Sequence, residues 1–404
     1  MTGSNCVLVD GEVKSLRMSA TQDGQSTLVH SLATLLRNNG EFVLDGSSTL
    51  TLQVTCLQHL THLFEQYLIS RTHQHGFLAL PSHPADTTSL LQVQFLFDML
   101  QKTISLKLVH PPGARLQSIV KIFPFKSLKH LELKRVPPHC LEGLRGVYSQ
   151  LEVFICSKSL NTLEELLLLC GGDLSTALPW LELHTLNFSY NFISSLDESL
   201  SLLNPLCELE HLNLAYNNLR RAPEFGLNTR ARLVTLVLRH NELESINGVE
   251  HLSSLQCLDL AYNLLMEHTQ LAPLSLLHNL NMLTLEGNPL YFQKTHRNST
   301  VRHLSPQAAF RGLQLDGSTL SSTELAVLPK PRQLIHQMSQ THQVAMAPEQ
   351  TAQDMSSGGG ELSDSLSIIE SGGTRVYRRK SKVRLQKPKT SHLLTITAHY
   401  TACS

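Results

Sequence analysis

The sequence lacks any excess of charge and contains few aromatic residues. Its 404 residues carry 33 Lys plus Arg against 33 Asp plus Glu, and aromatic side chains make up 5% of the chain. A protein that binds nucleic acid needs a basic footprint, and one that binds single strands also needs rings on which bases stack. The composition therefore argues against generic nucleic-acid binding, and we expect no specific nucleic acid as a partner.

The chain also lacks paired cysteines and long apolar runs. Its eight cysteines include no C-x-x-C pair. No stretch approaches the ~18 apolar residues of a membrane span, and the start shows no apolar core of a secretory signal. These absences predict reduced thiols, no zinc site built on cysteine and a cytoplasmic location.

Motifs of the common catalytic sites are absent as well. The sequence contains no G-x-S-x-G, no phosphate-binding P-loop and no H-E-x-x-H. Among its 21 histidines, His73 and His75 form one close pair and His59 and His62 form another. Neither pair has a third ligand at a known spacing. We therefore expect no catalysis, no metal and no cofactor.

Leucine is abundant, with 79 residues, and it recurs in a fixed pattern. The pattern L-x-x-L-x-L-x-x-N-x-L, or a close variant, occurs in five copies whose starts lie 26, 24, 22 and 25 residues apart. This spacing falls within the ~20–29 residues of leucine-rich repeats. The five copies begin at Leu183, Leu209, Leu233, Leu255 and Leu280, and degenerate copies begin at Leu128 and Leu151. The L-x-L positions alternate with period two, so stacked copies bury their leucines in a continuous core.

Each full copy contains an asparagine at the point where the chain turns away from its strand. An asparagine side chain carries both a donor and an acceptor, so it can satisfy backbone groups inside the bend. The predicted structural ladder consists of Asn191, Asn217, Asn241, Asn263 and Asn288.

The sequence predicts an α/β solenoid, a leucine-rich-repeat horseshoe with a parallel sheet on its concave side. Helical spacing of apolar residues upstream predicts a helical N-terminal cap, and a Gln-, Ser-, Thr- and Gly-rich composition downstream predicts a disordered C-terminal tail. The predicted parts are a flexible N-terminus (1–25), the helical cap (26–100), the leucine-rich-repeat domain with its C-terminal cap (101–317), a linker (318–330) and the disordered tail with a basic run (331–404).

The outward positions of the predicted strands line the concave face, which is the candidate protein-binding surface. The candidate residues are Thr185, Asn187, His211, Asn213, Thr235, Arg239, Asp259 and Glu286. Six strand gaps of ~4.8 Å and ~10 Å of strand give only ~300 Å², against ~800 Å² per partner in a standard interface. Flanking loops or the tail therefore have to contribute, and a plain solvated face is the alternative interpretation.

Aromatic residues precede three of the ladder asparagines. Tyr190, Tyr216 and Tyr262 occupy this position before Asn191, Asn217 and Asn263, and His240 takes it before Asn241. Two interpretations are open. The rings form an aromatic binding ladder, or they pack edgewise along the stack and support the bend, which we favour.

Five stretches outside the repeat resemble a known family. They are residues 80–86 (LPSHPAD), 95–98 (FLFD), 121–128 (KIFPFKSL), 143–151 (GLRGVYSQL) and 177–180 (ALPW). Together they resemble the N-terminal part of the serine/threonine-protein kinase 11-interacting protein family, over roughly residues 26–384. The resemblance implies a cytoplasmic leucine-rich-repeat adaptor that binds a serine/threonine protein kinase and influences its subcellular location.

The predicted function is thus that of a non-catalytic adaptor with a protein kinase as its partner. The alternative from another class is a nuclear leucine-rich-repeat protein assembled in a ribonucleoprotein complex, which the basic run favours and the neutral net charge opposes. The basic run, from Arg375 to Lys389, also predicts weak contact with acidic membrane lipids. A nuclear address and a plain solvated tail are its other interpretations.

Overall fold

The computed structural model describes residues 14–18, 25–69, 84–113, 116, 118–166, 180–195 and 208–329. The predicted disordered tail, its basic run and the pair His73 and His75 lie outside these residues. So does most of the predicted flexible N-terminus.

Within the described residues, twelve strands form one sheet in the order β1, β2, β3, β5, β7 to β14, and two short strands form a second sheet. Neighbouring strands are parallel except for the last pair, β13 and β14. The strands are β1 (Lys14–Met18), β2 (Ser48–Gln53), β3 (Ser105–Val109), β4 (Val120–Lys121), β5 (His130–Lys134), β6 (Leu141–Glu142), β7 (Val153–Ser157), β8 (Thr185–Asn187), β9 (His211–Asn213), β10 (Thr235–Val237), β11 (Cys257–Asp259), β12 (Met282–Thr284), β13 (Gln314–Leu315) and β14 (Ser318–Thr319).

Helices and single helical turns connect the strands. The α-helices are α1 (Gln25–Leu44), α2 (Val54–Phe64), α3 (Pro84–Gln101), α4 (Leu144–Tyr148), α5 (Leu227–Arg232), α6 (His296–Val301), α7 (Pro306–Phe310) and α8 (Ser322–Leu325). A π-helical turn (Glu65–Ile69) continues α2. The 3₁₀ segments are Pro138–Cys140, Leu163–Leu166, Val249–His251, His268–Leu276 and Pro289–Phe292.

One column of apolar side chains crosses the main sheet at the same register position in each of its strands from β2 to β13. The column consists of Leu50, Leu106, Leu131, Phe154, Leu186, Leu212, Leu236, Leu258, Leu283 and Leu315. All ten are buried. Because each side chain covers its neighbours on both sides, no repeat forms a core alone, and the leucine pattern of the sequence becomes one continuous core.

The N-terminal segment differs from the prediction, because it is not purely helical. Helices α1, α2 and α3 are present, but strand β2 lies between α1 and α2 and pairs with β3 in the main sheet. Strand β1, inside the predicted flexible N-terminus, pairs with β2. The segment Ser48–Gln53 (STLTLQ) alternates threonine and leucine, which favours a strand buried against a core.

The predicted linker at 318–330 also differs from the structure. Strand β14 turns back antiparallel on β13, and helix α8 follows. Ser321 caps α8, and its hydroxyl accepts a hydrogen bond from the Glu324 N–H. The Glu324 carboxylate in turn binds Arg297 of α6, with a Nε–Oε1 distance of 2.6 Å. The segment is therefore part of the C-terminal cap, and the signal for it is the S-x-x-E capping box.

Candidate protein interface

The concave face presents the outward side chains of the strands. The candidate residues on strands are Thr185, Asn187, His211, Asn213, Thr235 and Asp259, and each flanks a buried leucine. Arg239 and Glu286 follow β10 and β12. The parallel register aligns the strand residues from repeat to repeat. The structure thus brings these side chains to one side of the sheet.

Three of these side chains also shape the ends of their strands. The side-chain oxygens of Asn187, Asn213 and Asp259 accept hydrogen bonds from the backbone N–H groups two residues later, at 2.9, 2.9 and 3.0 Å. Such Asx bonds favour a turn directly after the strand. The polar residues of this face therefore have a local structural role besides facing solvent.

The charges at the centre of the face are paired. Arg239 Nε lies 2.9 Å from Asp259 Oδ2, and both side chains are largely shielded from solvent. The Arg239 guanidinium also lies 5.2 Å from the ring centre of Tyr262. A partner that contacts this region therefore meets an ion pair without net charge, whose guanidinium lies over the Tyr262 ring.

The asparagine ladder lies behind the strand ends and is buried. Each ladder side chain donates to one carbonyl of its own repeat and to one carbonyl of the preceding repeat, and its oxygen accepts a backbone N–H of the preceding repeat. Asn241 shows the pattern: it donates to Leu238 O (3.0 Å) and Leu214 O (2.9 Å) and accepts from Leu219 N (3.0 Å). The members are Asn191, Asn217, Asn241, Asn263 and Asn288. The amides tie successive turns to one another.

A row of residues in left-handed backbone conformation lies next to the ladder, four positions after the central apolar residue of each strand. We call it the left-handed row. Its members are Arg135, Lys158, Tyr190, Tyr216, His240, Tyr262 and Gly287, with φ between 53° and 76°. Their backbone N–H groups are used within the stack, as in Tyr216, which donates to Arg239 O at 2.9 Å. From Arg135 to Tyr262 these N–H groups are therefore not available to a partner, and the donors that remain there are side chains.

The four rings of the row stack face to face, which corrects the expectation of edgewise packing. Ring centres are 4.2 Å apart for Tyr190 and Tyr216, 4.3 Å for Tyr216 and His240, and 4.4 Å for His240 and Tyr262. The interplanar angles are 9°, 18° and 2°. The repeat spacing of ~4.8 Å is close to the centre-to-centre distance of offset-stacked aromatic rings, so side chains at one register position stack in parallel. The ring edges face solvent, with Tyr190 47% exposed.

The row becomes cationic where the aromatic stack ends, and sequence reasoning missed this. Arg135 and Lys158 occupy the same position in degenerate repeats that lack the ladder asparagine. The Lys158 ammonium lies 5.8 Å from the ring centre of Tyr190. They lie four residues after the central apolar residues of their strands, Leu131 and Phe154. This spacing is the sequence signal that identifies them.

A buried histidine cluster lies in the C-terminal cap. The ring nitrogens of His268 and His296 are 3.2 Å apart, and His296 Nε2 lies 3.1 Å from Asp316 Oδ2. Burial and the neighbouring His296 lower the pKa of His268. Thr300, the hydroxyl next to His296, is fully buried. A hydroxyl that no substrate can reach favours a structural role for this cluster.

The described residues contain neither a cluster suited to a metal ion nor a helix suited to a membrane. No group of three or more His, Cys, Asp or Glu side chains has a geometry that could hold a metal ion in the part of the chain described above. No described helix combines the length and apolar character needed to cross a bilayer.

Comparison with known proteins identifies relatives of this chain. The family described as LKB1 serine/threonine kinase interacting protein 1 matches residues 23–112. The chain is 54% identical over 397 residues to the chicken (Gallus gallus) serine/threonine-protein kinase 11-interacting protein, which covers 92% of this chain and 37% of the relative. The chain belongs to the serine/threonine-protein kinase 11-interacting protein family. The human (Homo sapiens) member is 48% identical over 400 residues, which cover 91% of this chain and 35% of the relative.

This chain therefore spans little more than a third of the length of the family members that it matches. Among solved structures, a leucine-rich-repeat protein of Leptospira interrogans is similar at 19% identity and a TM-score of 0.37, over 67% of this chain and 73% of that chain. The resemblance drawn from the sequence is confirmed by the chicken and human relatives, and the predicted leucine-rich-repeat fold is confirmed by the continuous, mostly parallel sheet of the described residues.

Proposed function

We propose that this chain is a non-catalytic adaptor that binds a serine/threonine protein kinase and influences its location in the cytoplasm. The observation that carries the proposal is the 54% identity to a protein named as interacting with serine/threonine-protein kinase 11, over 92% of this chain. The fold supports it, because the described residues present an extended polar face along the twelve-stranded sheet.

The concave face is the contact surface that the geometry favours. Strands β2, β3, β5 and β7 lengthen it beyond the five full repeats of the sequence, and they have five or six residues each. Eight gaps of ~4.8 Å from β2 to β12 span ~38 Å and, with strands ~10 to ~17 Å long, give about 500 Å² of strand surface. With the left-handed row along its edge, the face approaches the ~800 Å² that each partner contributes to a standard interface.

The proposal is tested by capture of purified serine/threonine-protein kinase 11 on the immobilised full chain. We expect the kinase to be retained. The substitution Thr235→Arg, at the centre of the concave face, should weaken binding at least tenfold. Leu227→Arg introduces the same side chain on α5, outside the sheet and 82% exposed, and should change affinity less than twofold. No retention of the kinase by the unsubstituted chain contradicts the proposal.

The effect on location is tested separately in cells. Co-expression of the chain with a fluorescently tagged kinase should move the kinase signal toward the cytoplasm. The Thr235→Arg chain should leave the kinase where it is. An unchanged kinase distribution with the unsubstituted chain contradicts this part of the proposal.

A further inference from the structure

The C-terminal ends of β5 and β7 carry an excess of positive charge among the described residues. Lys107 pairs with Glu132 at 2.5 Å, as Arg239 pairs with Asp259. Lys134 and Lys158, by contrast, form no ion pair among the described residues, and the Arg135 guanidinium donates only to a backbone carbonyl, His110 O. In the described part of the chain, three neighbouring cations therefore lack an ion-pair partner of their own.

These cations lie close together because of the strand register. Lys134 is opposite Ser157, the residue before Lys158, and the backbone N–H of Arg135 donates to the Ser157 carbonyl at 3.0 Å. Burial lowers the pKa of Lys134, and the charges of Lys107, Arg135 and Lys158 lower it further, against an opposing effect of Glu132. Mutual repulsion of this kind marks a place where a bound anion stabilises the free protein.

The aromatic part of the left-handed row also favours a bound anion. The edge of an aromatic ring carries positive partial charge, and a phenol hydroxyl is a hydrogen-bond donor. The residues Tyr190, Tyr216 and Tyr262 are 47%, 37% and 40% exposed, and their stacked ring faces leave the edges toward solvent. At the far end the Tyr262 hydroxyl already lies 3.4 Å from Glu286, so an anion is best accommodated toward Lys158.

The stacking argues against a nucleic-acid strand on this surface. A base stacks on a free ring face, but each face of Tyr216 and His240 is covered by a neighbouring ring. Lys158 lies over the outer face of Tyr190, and Gly287 and Arg239 adjoin Tyr262. The exposed ring edges suit carboxylates rather than bases.

We propose that the left-handed row, together with Lys134, forms a docking site for an extended, acidic segment of a partner protein. The proposal deepens the proposed function and rests on it, since it names the segment chemistry by which the adaptor holds its partner. From Arg135 to Tyr262 the row crosses five strand gaps of ~4.8 Å, about 24 Å, which an extended segment of about seven residues spans.

The test measures binding of a fluorescein-labelled peptide of four Glu-Ala repeats to the full chain by fluorescence anisotropy. A peptide of four Lys-Ala repeats and an eight-nucleotide oligouridylate serve as comparison probes. We expect the acidic peptide to bind best and its affinity to fall as salt is raised. Tighter binding of the oligouridylate overturns the proposal.

Charge reversal locates the site. The double substitution Lys134→Glu with Lys158→Glu should weaken binding of the acidic peptide at least tenfold. The matched control, Lys102→Glu with Lys126→Glu, makes the same charge change at the opposite ends of the strands and should alter affinity less than twofold. Equal effects of the two pairs, or no effect of the first, overturn the proposal.

Two further measurements exclude indirect effects. Tyr190→Glu places a repelling charge in the row and should weaken peptide binding about tenfold, whereas Tyr190→Phe keeps the stack and most of the affinity. Thermal unfolding of each variant shows whether the fold is retained. In the capture assay, a chain that loses the peptide but keeps the kinase overturns the inference. A kinase that never binds the unsubstituted chain contradicts the proposed function alone.

Discussion

Tyr190, Tyr216, His240 and Tyr262 adopt a backbone conformation that side chains other than glycine rarely adopt. Each such residue costs about 1–2 kcal/mol of conformational energy. Two gains offset the cost in every repeat: a backbone hydrogen bond to the next turn, and a ring contact of about 0.5–1.5 kcal/mol. The regular stack is therefore a consequence of the strained backbone position being repeated at one register.

Glycine takes this position only where the row ends. A Cβ added at Gly287 would lie 2.4 Å from Cδ1 of Tyr262, and its φ is 76°. We expect Gly287→Ala to destabilise the protein by about 3 kcal/mol, since an unfavourable φ and an overlap with the ring add together. Chemical denaturation measures the change.

Gly312→Ala is the control for this prediction. Gly312 also has a positive φ, of 97°, but no atom lies within 4 Å of its added Cβ. The control should lose only the conformational part, about 1–2 kcal/mol. Equal losses in both variants would show that the Tyr262 ring moves aside without cost.

The sequence identified these aromatic residues but not their geometry. The position before the asparagine was recognisable, yet the choice between edgewise and face-to-face packing depends on the left-handed φ, which a pattern of leucines does not encode. The cations Arg135 and Lys158 were not recognised from the sequence, because their repeats lack the ladder asparagine that marks the position.

At the scale of elements, the C-terminal cap closes the sheet through a few specific bonds. Arg297 of α6 contacts the Glu324 carboxylate of α8 and the Leu315 carbonyl of β13. The hydrogen bond from Arg297 lowers the pKa of Glu324 to about 2, with a further contribution from Ser321. One arginine thus joins three elements that the leucine period does not specify.

This pKa predicts how the cap responds to acid. Because the folded value is below the ordinary one, the stabilisation from Glu324 is present above pH ~4.5 and is lost as the pH falls toward about 2. Glu324→Gln should therefore lower the thermal unfolding midpoint at pH 6, and the difference from the unsubstituted chain should shrink toward pH 2. The exposed Glu244, changed to Gln, should show almost no difference at either pH. A difference that does not change with pH contradicts the assignment.

Elements with a strong repeat were predictable, and those without it were not. Strands β8 to β12 follow from the leucine positions, whereas β2 lies between two helical patterns in a segment without a repeat asparagine. Helix α8 has four residues, too few for any periodicity, and only its capping box distinguishes it from a linker.

On the scale of the whole molecule, the repeats interact mainly with their neighbours along the chain. The ladder amides show this, since Asn241 bonds only within its own repeat and the preceding one. In such arrays, local destabilisation spreads over adjacent repeats and then decays. A substitution at one ladder asparagine should therefore leave distant strands unaffected.

Asn241→Ala tests this behaviour. The Leu219 N–H loses its acceptor, while the carbonyls of Leu214 and Leu238 keep the amides of Asn217 and Asn263. We expect a loss of about 2 kcal/mol, from one unsatisfied buried donor and a small void. Hydrogen exchange should accelerate around β9 and β10 and stay unchanged in β3.

Asn218→Ala is the matched control, because this neighbouring side chain is exposed. It should leave both stability and exchange almost unchanged. A uniform acceleration of exchange from β3 to β12 in the Asn241→Ala chain would show instead that the described array unfolds as a single cooperative unit.

The ring contacts also have a mechanical consequence. Successive rings are 4.2 to 4.4 Å apart, closer than the ~4.8 Å between the strands that carry them. A motion that spreads the strand ends from Tyr190 to Tyr262 must separate three ring contacts together, which costs about 3 kcal/mol in total. This edge of the sheet is thus the stiff side of the array. Any hinge between these repeats has to open from the opposite edge.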